Sequence, residues 1–235
     1  MPKPSFRYIV TAIISLWLIM PAPALAAVSS SPGSAAAGGL QYLAVNQQAD
    51  GSISGGIGGE TEWTAVGVQA AGQQASTFTH GGSSLLTFLE ADAPAPGASA
   101  GTIERKMIAI AAMRQNPASF GGVDYEALLN AQHVSGQIGD PTLLNDDMFG
   151  IIAIDAAHDS SLTSEAQDAL NYLLAHQGSD GGFSYTTDSC AWCGSDSSDT
   201  ASAIVALYAA TDLGLGSPAV DAASSSALTY LLGTQ

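Results

Sequence analysis

"LAHQGSDGGFSY", residues 174–185, is the stretch on which the reading of this chain turns. Apolar residues at helical spacing (Leu170, Leu173, Leu174) lead into Gln177, then Asp180-Gly181-Gly182, then the aromatic Phe183. A single copy would be an ordinary helix exit followed by a turn. The segment nearly repeats as "LAVNQQADGSIS", residues 43–54, so that Leu40, Tyr42, Leu43, Gln47, Asp50 and Gly51 fall on Leu170, Tyr172, Leu173, Gln177, Asp180 and Gly181, 130 residues apart. Weaker copies begin at Leu86, around Tyr125 and at Leu228. The starts lie near residues 40, 86, 125, 170 and 228, and a period of about 40–58 residues is the spacing of repeat architectures.

Each unit has a second half rich in small apolar residues: "TEWTAVGVQAAG" (61–72), "IERKMIAIAAM" (103–113), "DDMFGIIAIDAA" (146–157) and "DTASAIVALYAA" (199–210). A helix apolar on nearly every face is a buried helix. The pattern therefore predicts an all-α protein in which each unit pairs an outer amphipathic helix with a buried inner one. Asp180-Gly181-Gly182 ends the outer helix, because glycine tolerates left-handed terminal geometry. Gln177 is placed to bond the next unit's backbone, and Phe183 to pack under the turn.

The Gln…Asp-Gly-Gly/Ser-Phe/Ile units, "QGSDGGF" above all, resemble the repeats of the prenyltransferase and squalene-cyclase superfamily over roughly residues 35–235. That resemblance implies an α/α toroid, with inner and outer rings of helices around a cavity. The same toroid serves terpene cyclases, protein prenyltransferases and cobalamin carriers, so it implies a fold more than an activity. It also implies about six hairpins. The chain carries four and the first helix of a fifth, with Gln235 aligned on Gln177, and the expectation is a toroid incomplete at its C-terminus.

Residues 1–26 read as a signal peptide: Lys3 and Arg7, an apolar run from Ile9 to Met20, and the small-x-small site Ala24-Leu25-Ala26. The apolar run is short for a span of roughly 20 residues. Residues 27–36 read as a flexible lead-in and 37–235 as the repeat domain. Cleavage leaves Arg105, Lys106 and Arg114 against 21 acids, a formal charge of −18. Such a surface repels phosphate backbones and anionic membranes, which argues against nucleic acid as a partner and against stable membrane insertion. The expected location is outside the cell, secreted or at the surface.

Cys190-Ala191-Trp192-Cys193 reads as a local disulfide in that setting. A zinc knuckle, needing two further ligands, and a redox motif are the alternatives. The histidines His80, His133, His158 and His176 are scattered, no paired ligands stand out, and the metal expectation is none.

Acids recur where inner helices start: Glu60 and Glu62, Asp146 and Asp147, Asp196 and Asp199. Carboxylates there cap free N–H groups and suit the helix dipole. "DSSDTA" (196–201) resembles the Asp-x-Asp-Asp-Thr-Ala motif of class II terpene cyclases, whose middle Asp, the resemblance implies, donates a proton. Ser198 stands in that place, and a hydroxyl is far too weak an acid for the step. Asp196 and Asp199 are thus only weak catalytic candidates. Arg105 and Lys106 fall near the start of an inner helix, where the dipole disfavours cations, so something anionic belongs beside them. That is either an acid such as Glu60, Asp146 or Asp147, or an anionic ligand group. Trp63, Phe149 and Tyr208 on inner helices are core or cavity residues, and with Arg105, Lys106, Asp146 and Asp147 they form the candidate ligand-binding set.

The functional expectation is a secreted, non-catalytic module that binds a small ligand or a protein partner. A corrinoid is the most concrete ligand, by resemblance to the cobalamin carriers, and no catalytic cofactor is implied. The alternatives are a cyclase- or prenyltransferase-like enzyme with a degraded motif, and a structural cell-surface module.

Overall fold

The computed structural model describes residues 32–53, 59–158, 160–190 and 193–234. The signal-peptide segment and residues 27–31 of the lead-in lie outside them. The described residues are predominantly helical, with one two-stranded antiparallel hairpin. None of their helices is long and apolar enough to cross a membrane. The chain divides into two compact units at Ala93/Pro94.

The first unit holds α1 (Pro32–Val45), α2 (Glu60–Ala70) and α3 (Leu85–Ala91). Residues 32–36, read as lead-in, form the first turn of α1: proline is tolerated at a helix start, and the Ala run that follows has the highest helix propensity. α2 buries Thr61, Thr64, Ala65 and Val68, an i, i+3, i+4, i+7 stripe. Ser84 caps α3 by accepting from the Thr87 amide at 3.1 Å.

The second unit holds α4 (Ala100–Ala112), α5 (Tyr125–Asn130), the strands β1 (His133–Val134) and β2 (Gln137–Ile138), α6 (Leu144–Ala157), α7 (Thr163–Ala175), α8 (Ser197–Ala210) and α9 (Pro218–Gly233). α4 packs on α6 and α6 on α8, forming an inner row. α5 lies against α4, α7 against α6 and α8, and α9 against α8 and α7. The outer helix α7 buries one stripe, Ala166, Ala169, Leu170 and Leu173. The inner helix α6 is buried almost all round, from Leu144 to Ala156. The two-part units expected from the sequence are present here as paired outer and inner helices.

The turns explain the repeated motif. Gln47 Nε2 donates to Gly51 O at 2.9 Å and to Phe78 O at 3.2 Å. Gln177 Nε2 donates to Gly181 O at 2.8 Å and to Ala223 O, on α9, at 2.9 Å. Each glutamine thus closes its own turn and ties it to the chain that follows. Gly51 (φ 99°) and Gly181 (φ 87°) adopt left-handed geometry. A Cβ on Gly51 would stand 2.5 Å from Ser84 O, and one on Gly181 2.8 Å from Ser226 O. Glycine is needed twice over, for its backbone angle and for the close approach of the next outer helix. Asp50 and Asp180 brace the turns, Asp50 Oδ1 accepting from the Ser52 amide at 3.0 Å and Asp180 Oδ1 from the Gly182 amide at 3.0 Å.

Candidate functional site

The residue after each turn hands its amide to the residue that opens the stripe of the following inner helix. Ile53 N donates to Thr61 Oγ1 at 3.1 Å, and Phe183 N to Thr200 Oγ1 at 2.9 Å. Ile138 N donates at 2.9 Å to Asp147 Oδ1. A hydroxyl does this work in two copies and a carboxyl in the third. All three acceptors are buried, Asp147 and Thr200 at 0 % exposure.

Around Asp147 the interior of the second unit is charged. Glu104 of α4 is 1 % exposed, and among the described residues neither of its carboxyl oxygens has a hydrogen-bond partner. Oδ2 of Asp147 is likewise buried without one. Asp146 Oδ2 accepts from the Asp140 amide at 3.0 Å. A Cβ on Gly101 would lie 3.6 Å from Arg105 Nη1, 3.7 Å from Asp146 Oδ1 and 3.9 Å from Glu104 Oε2, so the three groups converge over that glycine. On the other side of Glu104, a Cβ on Gly150 would lie 3.5 Å from Oε1 and 2.6 Å from Ile138 Cδ1. The carboxyl is wedged between two helices and beside an apolar side chain.

Burial pushes the Glu104 carboxyl well above the usual range, Asp146 and Asp147 push it further, and Arg105 only partly offsets them. Burial raises Asp147 to about 7, against the bond from Ile138 and with the help of Asp146. Burial also raises Asp146. Near the end of α6, Asp155 is raised to about 7 by burial and by Asp212.

The candidate residues separate as follows. Arg105, Asp146 and Asp147 come together on α4 and α6, with Lys106, 3 % exposed, on the same helix as Arg105. Arg105 Nη2 donates to Thr102 Oγ1 at 3.5 Å, and among the described residues its buried Nε has no partner. Phe149 is half-buried on α6, Tyr208 is 47 % exposed on α8, and Trp63, 44 % exposed, belongs to the first unit. Asp146 and Asp147 were read as caps of their own helix. They instead bond backward, Asp147 to Ile138 of β2 and Asp146 to Asp140 in the loop after it, and the N-cap position is Leu143, with no side-chain bond. Glu104 was missed. It sits at i+4 of the stripe Ala100, Ile103, Glu104, Met107, and a charge at that place was the available signal.

At α8, Asp196 is the cap, Oδ1 accepting from the amides of Ser198 at 2.8 Å and Asp199 at 2.9 Å. Burial works to raise its carboxyl, but the bonds from Asp199 and from these amides outweigh that and hold it below the usual range. Burial and the bond to Asp196 raise Asp199 to about 7. Ser198, in the place of the proton donor, is exposed.

Cys190 and Cys193 are joined by a disulfide, which engages both thiols. Beside it runs an open groove of about 420 Å³ lined by His176, Asp180, Thr186, Asp188 and Ser195 among others. In the first unit a groove of about 350 Å³ lies between α1 (Leu40, Ala44) and Gln73–Thr79. Neither includes the carboxyls at the α4–α6 contact. Among the described residues no group of three or more His, Cys, Asp or Glu is placed to hold a metal ion. Comparison with protein-family models, curated proteins and solved structures gives no match, so the reading of function rests on this geometry and on the sequence pattern.

Proposed function

We propose that the chain is a secreted helical-hairpin module that binds a polar ligand or a protein partner and carries out no cyclisation. The observation that carries this reading is the use of Asp196. Its carboxylate caps α8 and is held in its charged form by the bonds it accepts, and the next position of the motif that would supply a proton is Ser198. The groove beside the disulfide supports the binding half. Carboxylates and hydroxyls line it, whereas a polyprenyl chain would call for apolar walls with few polar groups. Closure of the hairpins into a toroid, kinship with the prenyltransferase and cyclase repeats, and a corrinoid as ligand belong to the same proposal through the resemblance of the "QGSDGGF" units.

One observation favours the alternative. Asp199 is a carboxyl that retains its proton to about pH 7, as a proton-donating site would require. Incubation with squalene and with geranylgeranyl diphosphate decides between the two. No product is expected, and product that disappears in Asp199→Asn would establish the enzyme. Titration with a corrinoid, read by its visible spectrum, tests the ligand. Absence of a spectral shift removes the corrinoid and leaves another polar ligand or the protein partner.

A further inference from the structure

We infer that the α4–α6 contact is an acid-set clasp: the two helices hold together while Glu104 and Asp147 carry protons, and α4 loosens from α6 as these carboxyls ionise.

The geometry has two parts. Glu104 and Asp147 are buried on facing helices, and among the described residues two oxygens of Glu104 and one of Asp147 have no partner. An ionised carboxylate in that position lacks the hydrogen bonds that would compensate its lost hydration. A neutral carboxyl is far cheaper to bury, so closing the contact favours protons. In addition, the position of Asp147 is a threonine hydroxyl at Thr61 and at Thr200, where the same backbone amide is held without any ionisable group. The carboxyl is therefore not required for the bond to Ile138. It adds sensitivity to pH in one copy of a shared joint.

The charges that act on the clasp come from several sides. Asp146 and Asp147 face Glu104 from α6, and Arg105 from its own helix. Lys106 is the next residue on α4. Asp146 faces Asp147, and Asp140 of the preceding loop faces Asp146. On the other elements packed against these helices, Asp124 and Glu126 lie at the start of α5, and Asp168 of α7 stands 3.1 Å from His133 Nε2 on β1. Asp199 of α8 is engaged with Asp196, and Asp155 at the far end of α6 faces Asp212. Apart from Arg105, Lys106 and His133 all of these are acids, so ionisation at the clasp meets mostly like charge.

The direction follows from linkage. Both carboxyls bind protons more tightly closed than open, so the contact is tightest below the ordinary carboxylate range. It weakens as pH rises through the folded-state values, the Asp147 value being about 7.

Hydrogen exchange on the whole protein between pH 4.5 and 8, corrected for the intrinsic pH dependence of exchange, tests the inference. Protection of the α4 amides Ile108 and Ile110 should fall at least about tenfold, the equivalent of one unit of pKa shift. Protection of Val66 and Val68 on α2 should hold. A level α4 profile, or an equal fall in α2, would overturn the clasp. The near-isosteric Glu104→Gln should remove most of the α4 fall, while Asp221→Asn, which deletes an exposed acid on α9, should leave it. If Asp221→Asn flattens the profile as much as Glu104→Gln, overall charge is the cause and the clasp is wrong. The wild-type comparison of α4 with α2 decides the matter even where a variant folds poorly.

Discussion

Thr200 on α8 and Asp147 on α6 occupy the same place in two copies of one hairpin, yet they set different conditions for folding. Thr200 Oγ1 accepts from the Phe183 amide at 2.9 Å and lies 3.4 Å from Phe183 O, within reach to donate in return. It is neutral at every pH of interest. Asp147 accepts the corresponding bond from Ile138, but it has a second oxygen with nothing to receive and a charge that burial resists. A repeat can thus conserve a joint while changing what the joint responds to. The substituted copy also faces a second buried acid, Glu104, across the helix contact.

The strongest way to break the comparison is to move the carboxyl. Thr200→Asp places an ionisable group at a fully buried position of α8. Leaving such a group unmatched costs about 3 kcal/mol. Chemical denaturation at pH 8 should show that loss, and at pH 4.5 most of it should be absent. A loss equal at both pH values would mean that size, not ionisation, distinguishes the two side chains.

Reversing the exchange should have the opposite sign and a smaller effect. The Asp147 carboxyl is raised in the folded state, so the stability associated with its neutral form is whole below the ordinary carboxylate range, mostly kept at pH 4, and lost as pH climbs through about 7. Asp147→Thr should therefore raise stability at pH 8 by about 2 kcal/mol, a gain in Tm of about 6 °C, and change it little at pH 4. Calorimetry at the two pH values reads both. A gain of the same size at pH 4 would assign the effect to packing.

The smallest expected effect concerns the path between turn and inner helix. From Ile138 to Asp147 the chain takes nine residues, from Phe183 to Thr200 seventeen, and the longer path carries the disulfide. A bridge with a sequence separation of three closes a very short loop, which places its contribution near the bottom of the range, about 1 kcal/mol. The double variant Cys190→Ser/Cys193→Ser should lower Tm by a few degrees at most, about 2–4 °C. Far-UV circular dichroism should be unchanged. Loss of helical signal would show that the loop holds α8 in place.

The helical pairing was legible because the stripes and the glycine turns are local signals. Gln177 and Gln47 could be assigned to the following chain for the same reason: the motif recurs with its spacing intact. The carboxyl cluster was legible only in part. An acid in the first turn of a helix suits the dipole whether it caps that helix or bonds the chain before it, and Asp146 and Asp147 do the latter. In "ERK" the two cations drew the argument toward Arg105 and Lys106, although the buried stripe of α4 passes through Glu104. Trp63 and Tyr208 are expected in the core or a cavity wall, and their exposure, 44 % and 47 %, sets them outside the core. Aromatic character alone does not specify which face of an inner helix is covered.

The forward bonds of the two glutamines also impose an order in time. Gln177 finds its second acceptor, Ala223 O, 46 residues later in the chain, and Gln47 finds Phe78 O 31 residues later. At synthesis rates of about 5–20 residues per second, the turn at Gln177 waits roughly 2–9 s for the helix that completes it. The turns at Gln47 and Gln177 therefore stay half-made until the chain that follows exists, and each is sealed by a carbonyl of its successor.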